Sequence, residues 1–498
     1  MNMPNSGTAT DPILVEDGSH PEANSVTLPT SLPSKPATSK PDRRPRKPKP
    51  PPEPIRLNDL HAPWLETIPS SSRTSAERML HEEIAAYQAY MAPTPAERTL
   101  RETVTHRLVA SIKGRLRDAR VYTYGSSATG LSLPKGDIDM VLQSGSSNDE
   151  QGNKSKLFQL RNTLTRDGVA AQAFVVTRAR HMVMNVECPA HLGSYKADIS
   201  INSMDGVDAV ALINDHAVQW PAIRPLVMFL KGLLALHKLG SAASSGLSSY
   251  ATISMVISFL QVNPYGLPQA SIKDPIKTHS LGTLLLQLLQ YYTSDFPYET
   301  SYISVREGAV LSKETKAFNP PRQQSDALVI ECMVNPDIDI ARAAGRMKQV
   351  RELFAETRRT FQEGLVAVQT AIDAGVLSGS VLKKVLGVSQ ELLDYRMRVT
   401  QLVASRQHLR DDTLPQSRRD SYQPYSGGSG PRGGPQGGSL LNRIGGYSHT
   451  GSSYRSRDDR DDKRSYSYQS ARPYGSESLN QGRYSSGYSG GYSGYGRR

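Results

Sequence analysis

The sequence predicts an α+β protein: a small mixed β-sheet domain joined to an all-helical central domain, with disordered N- and C-terminal tails. Three observations predict it. Five short β-branched or aromatic runs fall together between residues 121 and 205. Apolar residues recur at helical spacing in 57–120 and again in 206–409. Residues 1–56 and 410–498 are rich in Pro, Ser, Gly and Arg and show no apolar period, so neither end can bury enough surface to offset its ordering entropy.

Composition narrows the function classes. The 498 residues carry a net charge of +12, with +2 on residues 1–56 and +7 on residues 406–498. A modest globular body with basic arms suits a polyanionic partner. Two cysteines, Cys188 and Cys332, exclude a disulfide scaffold and a Cys-rich zinc module. No apolar run has membrane-span length and the first residues show no signal-peptide core, so a soluble intracellular protein is expected.

The elements follow in order. The arm 1–56 holds a basic cluster, Asp42–Lys49, that suits a nuclear import receptor, a run of phosphates, or a solvated spacer. It also holds Ile13–Asp17, a short run that resembles a ubiquitin-like-modifier binding motif. In 57–120, Leu80, Ile84, Tyr87 and Met91 mark one helix face. Thr94 and Pro95 open a second helix that carries Val104, Leu108, Ile112 and Leu116. Strands are expected at 121–124, 138–142, 173–176, 182–186 and 197–201, with a helix between Lys156 and Arg166. In 206–409, helices are expected at 222–238, 250–261, 281–292 and 340–361, with more helix beyond.

The chemistry concentrates in Gly125-Ser126-Ser127 and Gly136-Asp137-Ile138-Asp139-Met140. Residues i and i+2 of a strand share a face, so Asp137 and Asp139 present paired carboxylates while Ile138 and Met140 face the core. Paired carboxylates repel unless a multivalent cation joins them, and hard oxygen ligands suit Mg²⁺ (or Mn²⁺). The Gly-Ser turn offers backbone N–H groups and the Ser126 hydroxyl as a grip for a triphosphate. Asp198, in the strand Ala197–Ile201, supplies a third carboxylate. Two ions about 4 Å apart would clamp the incoming and leaving oxygens of an in-line displacement.

These residues, together with Thr129-Gly130-Leu131 and Leu133-Pro134, resemble the active-site signature of the polymerase-β-like nucleotidyltransferases, and within them the noncanonical poly(A) polymerases of the nuclear TRAMP type. The likeness continues through Gly206-Val207, Arg224–Lys231, Gly246–Tyr250, Ser258–Gln261 and Leu281–Leu285, from about Leu80 to Phe361. It implies a nucleotidyltransferase sheet domain, a helical domain, and a cleft in which adenylates from ATP are added to RNA 3′ ends without a template. Residue by residue it implies that Asp137, Asp139 and Asp198 bind the metals, with Asp198 also placed to deprotonate the RNA 3′-hydroxyl. Gly125 and Ser126 would hold phosphates, Lys231 and Ser249 would contact the triphosphate, and Tyr250 would stack on the base. Asn202 would meet the ribose, and Asp339 would serve nucleotide recognition. It also implies a nuclear location, an RNA-binding zinc-knuckle subunit and an RNA helicase as partners.

Three departures bear on base choice. The family's Gly-Gly-x-Gly-Ser-Tyr reads Ser245–Tyr250, the residue pair before the first aspartate reads Lys135-Gly136, and the recognition stretch reads Asn335–Arg342 with the family's Asn falling on Ile338. No histidine of the kind associated with uridine preference stands there, which keeps ATP ahead of UTP; a terminal uridylyltransferase of the same fold and a catalytically silent scaffold are the alternatives. No RNA-binding module is recognisable. The tail alternates Tyr and Arg, from Tyr422 and Arg432-Gly433-Gly434 to Tyr484 and Tyr495. Such a tail suits base stacking with phosphate pairing, self-association, or plain solubility.

Overall fold

The structure is a computed structural model that describes residues 57–144, 149–177, 182–318, 325–376 and 379–409. The arm 1–56, with Ile13–Asp17 and Asp42–Lys49, and the tail 410–498 lie outside the described residues. Residues 1–59 segregate as a unit of their own, of which only the turn Leu57–Asp59 is described. Everything below concerns the larger unit, from Leu60 onward.

Helix α1 (Ala76–Met91) begins at Ser75, whose side chain accepts the Arg78 N–H, and buries Leu80, Ile84, Tyr87 and Met91 as their spacing requires. Helix α2 (Pro95–Arg115) starts with a capping box. Thr94 Oγ1 accepts the Glu97 N–H at 3.2 Å, and the Glu97 carboxylate accepts the Thr94 N–H at 2.7 Å. With Pro95 in the first turn, all local signals agree on this start.

The sheet contains β1 (Arg120–Tyr124), β2 (Ile138–Gln143), β3 (Gln172–Val176), β4 (Val183–Glu187) and β5 (Lys196–Ile201), in the order β1-β2-β5-β4-β3. It is mixed: β2 and β5 run parallel, and the other pairs are antiparallel. The short α3 (Gly125–Thr129) links β1 to β2, and α4 (Glu150–Arg166) precedes β3.

The helical body comprises α5 (Asp205–Gln219), α6 (Ile223–Leu236), α7 (Ser249–Val262), α8 (Gln269–Lys273), α9 (Leu281–Gln290), α10 (Met347–Asp373) and α11 (Gln390–Ala404). Two features were not singled out by periodicity. Helix α5 follows directly on the sheet, and an antiparallel ribbon of β6 (Ser301–Ser304) and β7 (Ala309–Ser312) interrupts the helices. Its four-residue strands are too short to declare a period of two against a helical background. Residues 340–346 are irregular, so α10 begins later than its apolar pattern predicts and runs on to Asp373.

Two hydrophobic cores organise these elements. The larger gathers α1 with α6, α7, α9 and α10, through residues such as Ile84, Phe229, Phe259, Leu285 and Phe361. The other packs α2 and α4 on the sheet through Leu100, Leu108, Leu160, Met140 and Ile199, and draws in Tyr395 and Val399 of α11. Helix α11 therefore turns back to pack on α2 although it comes last among the described α-helices. Among the described residues no helix is long and apolar enough to cross a membrane.

The contact between α1 and α6 depends on one small residue. A Cβ on Gly232 would stand 2.1 Å from Tyr87 Oη, and Tyr87 is fully enclosed. Gly232→Ala forces that ring aside, and an overpacked core of this kind typically loses about 1–3 kcal/mol. Chemical denaturation should show this loss as a lower midpoint with an unchanged slope.

Candidate active site

One register line across the sheet assembles the site. Tyr124 of β1 lies opposite Asp139 of β2, Asp139 opposite Asp198 of β5, and Asp198 opposite Asn185 of β4. Paired residues share a face, so the carboxylates of Asp139 and Asp198 stand side by side while Ile138, Met140, Ala197 and Ile199 fill the core beneath. Asp137, just before β2, lies two residues from Asp139 on the same side. Asn185 Nδ2 donates to Asp198 Oδ1 at 2.6 Å and fixes that carboxylate.

The turn after β1 closes over this line. Gly125 has φ +68°, and a Cβ there would stand 2.1 Å from Asp139 Oδ2, so only glycine lets the turn lie against the carboxylate. Arg101 of α2 ties α3 to the turn before β2. Its guanidinium donates to Ser127 Oγ at 2.8 Å, to the Gly136 carbonyl at 2.7 Å and to the Asp137 carbonyl at 3.3 Å. From the helical body, Arg224 donates to the Thr129 carbonyl at 2.9 Å, and Lys231 Nζ to the Leu131 carbonyl at 2.6 Å. Two cations of α6 thus fasten the end of α3 to the helical body.

The electrostatics are those of crowded anions. Burial, then the charges of Asp198 and Asp137, pushes the Asp139 carboxyl up to about 7. Burial and Asp198 likewise raise Asp137. Burial lowers the Lys231 ammonium to about 8, against the pull of Asp139.

Above the carboxylates a cavity of about 620 Å³ opens between sheet and helical body. Of the residues expected in the site, Gly125, Ser126, Asp137, Asp139, Lys231, Ser249 and Tyr250 line it; Asp198, level with Asp139 on the next strand, is not among the lining residues. Tyr250 is held from behind, its hydroxyl accepting the Met333 N–H at 3.3 Å and lying 3.7 Å from Cys332 Sγ. Ser248 caps α7 by accepting the Ala251 N–H at 3.1 Å, which sets Ser249 and Tyr250 at the first turn. Ser245 stands where the family has glycine and adopts φ +59°, so the chain keeps the left-handed bend without the residue that favours it.

Two expected residues serve the frame instead. Asn202 Oδ1 accepts the Ser144 N–H at 3.0 Å and its Nδ2 reaches Asn153 Oδ1 at 3.4 Å, so its amide ties the end of β5 to its surroundings and does not line the cavity. Asp339 Oδ1 accepts the N–H groups of Ile330 at 3.1 Å and Ala341 at 2.9 Å, and its side chain is buried in its own loop. Its neighbours Ile338 and Ile340 form the cavity wall. Alternating side chains explain both: the motif marks the right segment, but each carboxamide or carboxylate meets a closer backbone partner. Sequence reasoning also missed Arg101, Asn185, Arg224 and the cavity-lining Asp205. Their only signal was a polar residue beside an apolar run.

The donor set fits divalent cations. Three carboxylates on one face of the sheet carry an anionic excess that hard cations would neutralise. Among the described residues, the group whose ligand atoms all lie within 4.8 Å of one another is His81, Glu82 and His279. It lies outside the cavity lining, Arg78 pairs with Glu82 at 2.8 Å, and His81 Nδ1 accepts the Leu281 N–H at 3.4 Å.

Comparison with known proteins agrees with this geometry. Residues 80–216 match the family model described as the central palm domain of mitochondrial-like poly(A) RNA polymerase, and residues 280–331 match that of the Cid1 family poly A polymerases. The chain is 28% identical over 346 residues to the poly(A) RNA polymerase cid14 of Schizosaccharomyces pombe, covering 68% of this chain and 49% of that protein. It is 30% identical over 342 residues to the inactive noncanonical poly(A) RNA polymerase protein Trf4-2 of Drosophila melanogaster, covering 67% of this chain and 80% of the fly protein. Among solved structures, the polymerase core of TRAMP, an RNA surveillance complex, superposes with a TM-score of 0.57 at 24% identity, over 65% of this chain and 98% of that one. The chain spans about half the length of the fungal relatives it matches.

The raised carboxyl makes a thermal prediction. Asp139 has a folded value near 7, above its ordinary 3.8, so the folded state binds the extra proton between these limits. Its contribution favours folding at low pH and is lost as pH rises from about 4 through about 7. Without divalent ions, Tm of the parent should fall relative to Asp139→Asn across that range. Mg²⁺ should raise the parent's Tm more at pH 8 than at pH 5.

Proposed function

Because the chain belongs to the noncanonical poly(A) RNA polymerase family, we propose that it transfers AMP from ATP to RNA 3′-hydroxyls without a template. The observation that carries this reading is the register line that sets Asp139 beside Asp198, with Asp137 at its edge, under a cavity of nucleotide size.

In this reading the triphosphate lies along Gly125 and Ser126, with Lys231 and Ser249 on its helical side. Lys231, its ammonium lowered by burial to about 8 and anchored on the Leu131 carbonyl, offers a positive charge that a nearby phosphate would favour further. Tyr250 stacks on the base, its ring already positioned by the Met333 N–H. Asp198, held by Asn185, receives the proton of the RNA 3′-hydroxyl as that oxygen attacks the α-phosphate and pyrophosphate leaves. Divalent ions held by Asp137, Asp139 and Asp198, Mg²⁺ or Mn²⁺, would neutralise the phosphate charge and lower the proton affinity of the attacking hydroxyl. The protein contributes mainly positioning and charge compensation.

ATP is favoured over UTP because the wall near the base is apolar, with Ile338, Ile340 and Cys332, and no histidine stands among the described lining residues. A catalytically silent scaffold is the second reading, favoured by likeness to a fly protein described as inactive. The complete aspartate trio supports the enzyme. RNA surveillance in the nucleus, with a zinc-knuckle RNA-binding subunit and an RNA helicase, is supported by likeness to the TRAMP core and by the basic cluster Asp42–Lys49.

Purified protein incubated with an oligo(A) primer, Mg²⁺ and each nucleoside triphosphate in turn tests this. Extension should occur with ATP and be weak with UTP. Asp139→Ala should lower the rate by at least about 10²-fold, comparable to losing a main charge-stabilising contact, with the folded state retained by circular dichroism. Failure to extend with any nucleotide, with partner subunits supplied, rejects the enzymatic reading.

The Lys231 contact predicts a split in kinetic constants. Lys231→Met keeps most of the unbranched side chain but removes the charge. It should raise KM for ATP by roughly tenfold, the worth of one charged hydrogen bond, and leave KM for the primer unchanged.

A further inference from the structure

The register line that aligns the carboxylates does not end at Asn185. Asn185 pairs with Phe174 of β3, the edge strand of the sheet. Phe174 therefore shares a face with Asn185, Asp198 and Asp139, and with Val176 two residues on. It is 62% exposed, and no other phenylalanine among the described residues is exposed. Its strand neighbours Ala173 and Val175 pack against the sheet core, so the larger apolar side chains of β3 point away from the core they could have joined.

A lone exposed apolar residue needs no explanation by itself. What singles out Phe174 is its place. Neighbouring strands lie about 4.8 Å apart, which puts Phe174 about 10 Å from Asp198 along a line perpendicular to the strands. Asp198 is where the 3′-hydroxyl of the acceptor must arrive. The nucleotides preceding that hydroxyl have to leave the cavity on a side not occupied by ATP, and in the proposed reading the β1 side, with Gly125 and Ser126 of α3, holds the triphosphate. The β4–β3 side carries the exposed ring. Lys196, exposed and on the face of Asp198, flanks the same line, with Glu187 opposite it on β4.

We propose that Phe174 is a stacking platform for a base of the acceptor RNA, one or two nucleotides upstream of its 3′ end, with Asn185 lying beneath the strand between platform and carboxylates. The inference rests on RNA being the acceptor. A flat ring on a rigid strand can hold any base face, which suits an enzyme that must accept each newly added nucleotide in turn. Fixing the penultimate base also restricts the approach of the hydroxyl, so the contact acts on both binding and orientation.

The test is a binding measurement without ATP. Oligo(A) primers carrying 2-aminopurine at the second or third position from the 3′ end report stacking by fluorescence quenching. The full-length parent should quench the probe. Phe174→Ala should abolish the quench and weaken primer binding roughly five- to hundredfold, the range for one lost base–aromatic stack. Phe174→Trp should restore both. In extension assays Phe174→Ala should raise KM for the primer and leave KM for ATP unchanged. Equal quenching and affinity in Phe174→Ala overturn the proposal, as does a parent that binds no primer. If the alanine variant loses its thermal transition, Phe174→Ser and Phe174→Trp are compared, and equal primer affinity for these two overturns it. A parent that stacks the probe but extends with no nucleotide leaves the platform standing and rejects the adenylyltransferase reading. Loss of binding to a protein partner with unchanged primer affinity would assign the ring to protein docking and overturn the RNA proposal.

Discussion

Three carboxylates forced together in a partly buried place are the constraint around which the rest is built. Repulsion among them is visible in the proton affinity of Asp139. Two ordinary β-sheet rules hold them there. Parallel pairing of β2 with β5 sets Asp139 level with Asp198, and alternation turns both to one face. A slip of one residue would send both into the hydrocarbon core and bring Met140 and Ile199 to the surface, so packing of those two side chains protects the register.

The helical body is coupled to this sheet through carbonyl oxygens. Arg224 and Lys231 grip Thr129 and Leu131, and Arg101 grips Gly136 and Asp137 from the other flank. Cations near an anionic site commonly pair with its acids. Here Arg101, Arg224 and Lys231 donate to backbone carbonyls and to the Ser127 hydroxyl, and their hydrogen bonds leave the aspartate oxygens to other partners. The arrangement holds loops rigid without cancelling the field that a divalent ion would meet.

How much of this was legible in the sequence differed by element. The start of α2 was clear, because Thr94, Pro95 and Glu97 each favour the same conformation for independent reasons. The strand carrying Asp137 and Asp139 was clear because its apolar partners alternate with the acids. The ribbon β6–β7 was not, since its strands are short and its partners, such as Ile330, lie far along the chain. Asn202 and Asp339 fall in the expected segments, and their backbone partners, the N–H groups of Ser144, Ile330 and Ala341, come from chain geometry that no local pattern announces. Asn185 and Phe174 carried no motif at all; their meaning comes only from cross-strand register, which a single sequence does not reveal.

The interleaving of the two cores has a consequence for how the chain is made. The sheet core needs Leu100 and Leu108 from before it and Tyr395 and Val399 from nearly two hundred residues after it. A ribosome that has released β5 has produced Asp137, Asp139 and Asp198, yet the apolar face of α2 that receives α11 is still uncovered until that helix emerges. Throughout that interval the half-built nascent chain must keep an oily surface from neighbouring polypeptides, which marks this stretch of synthesis as the one in which a chaperone would matter most.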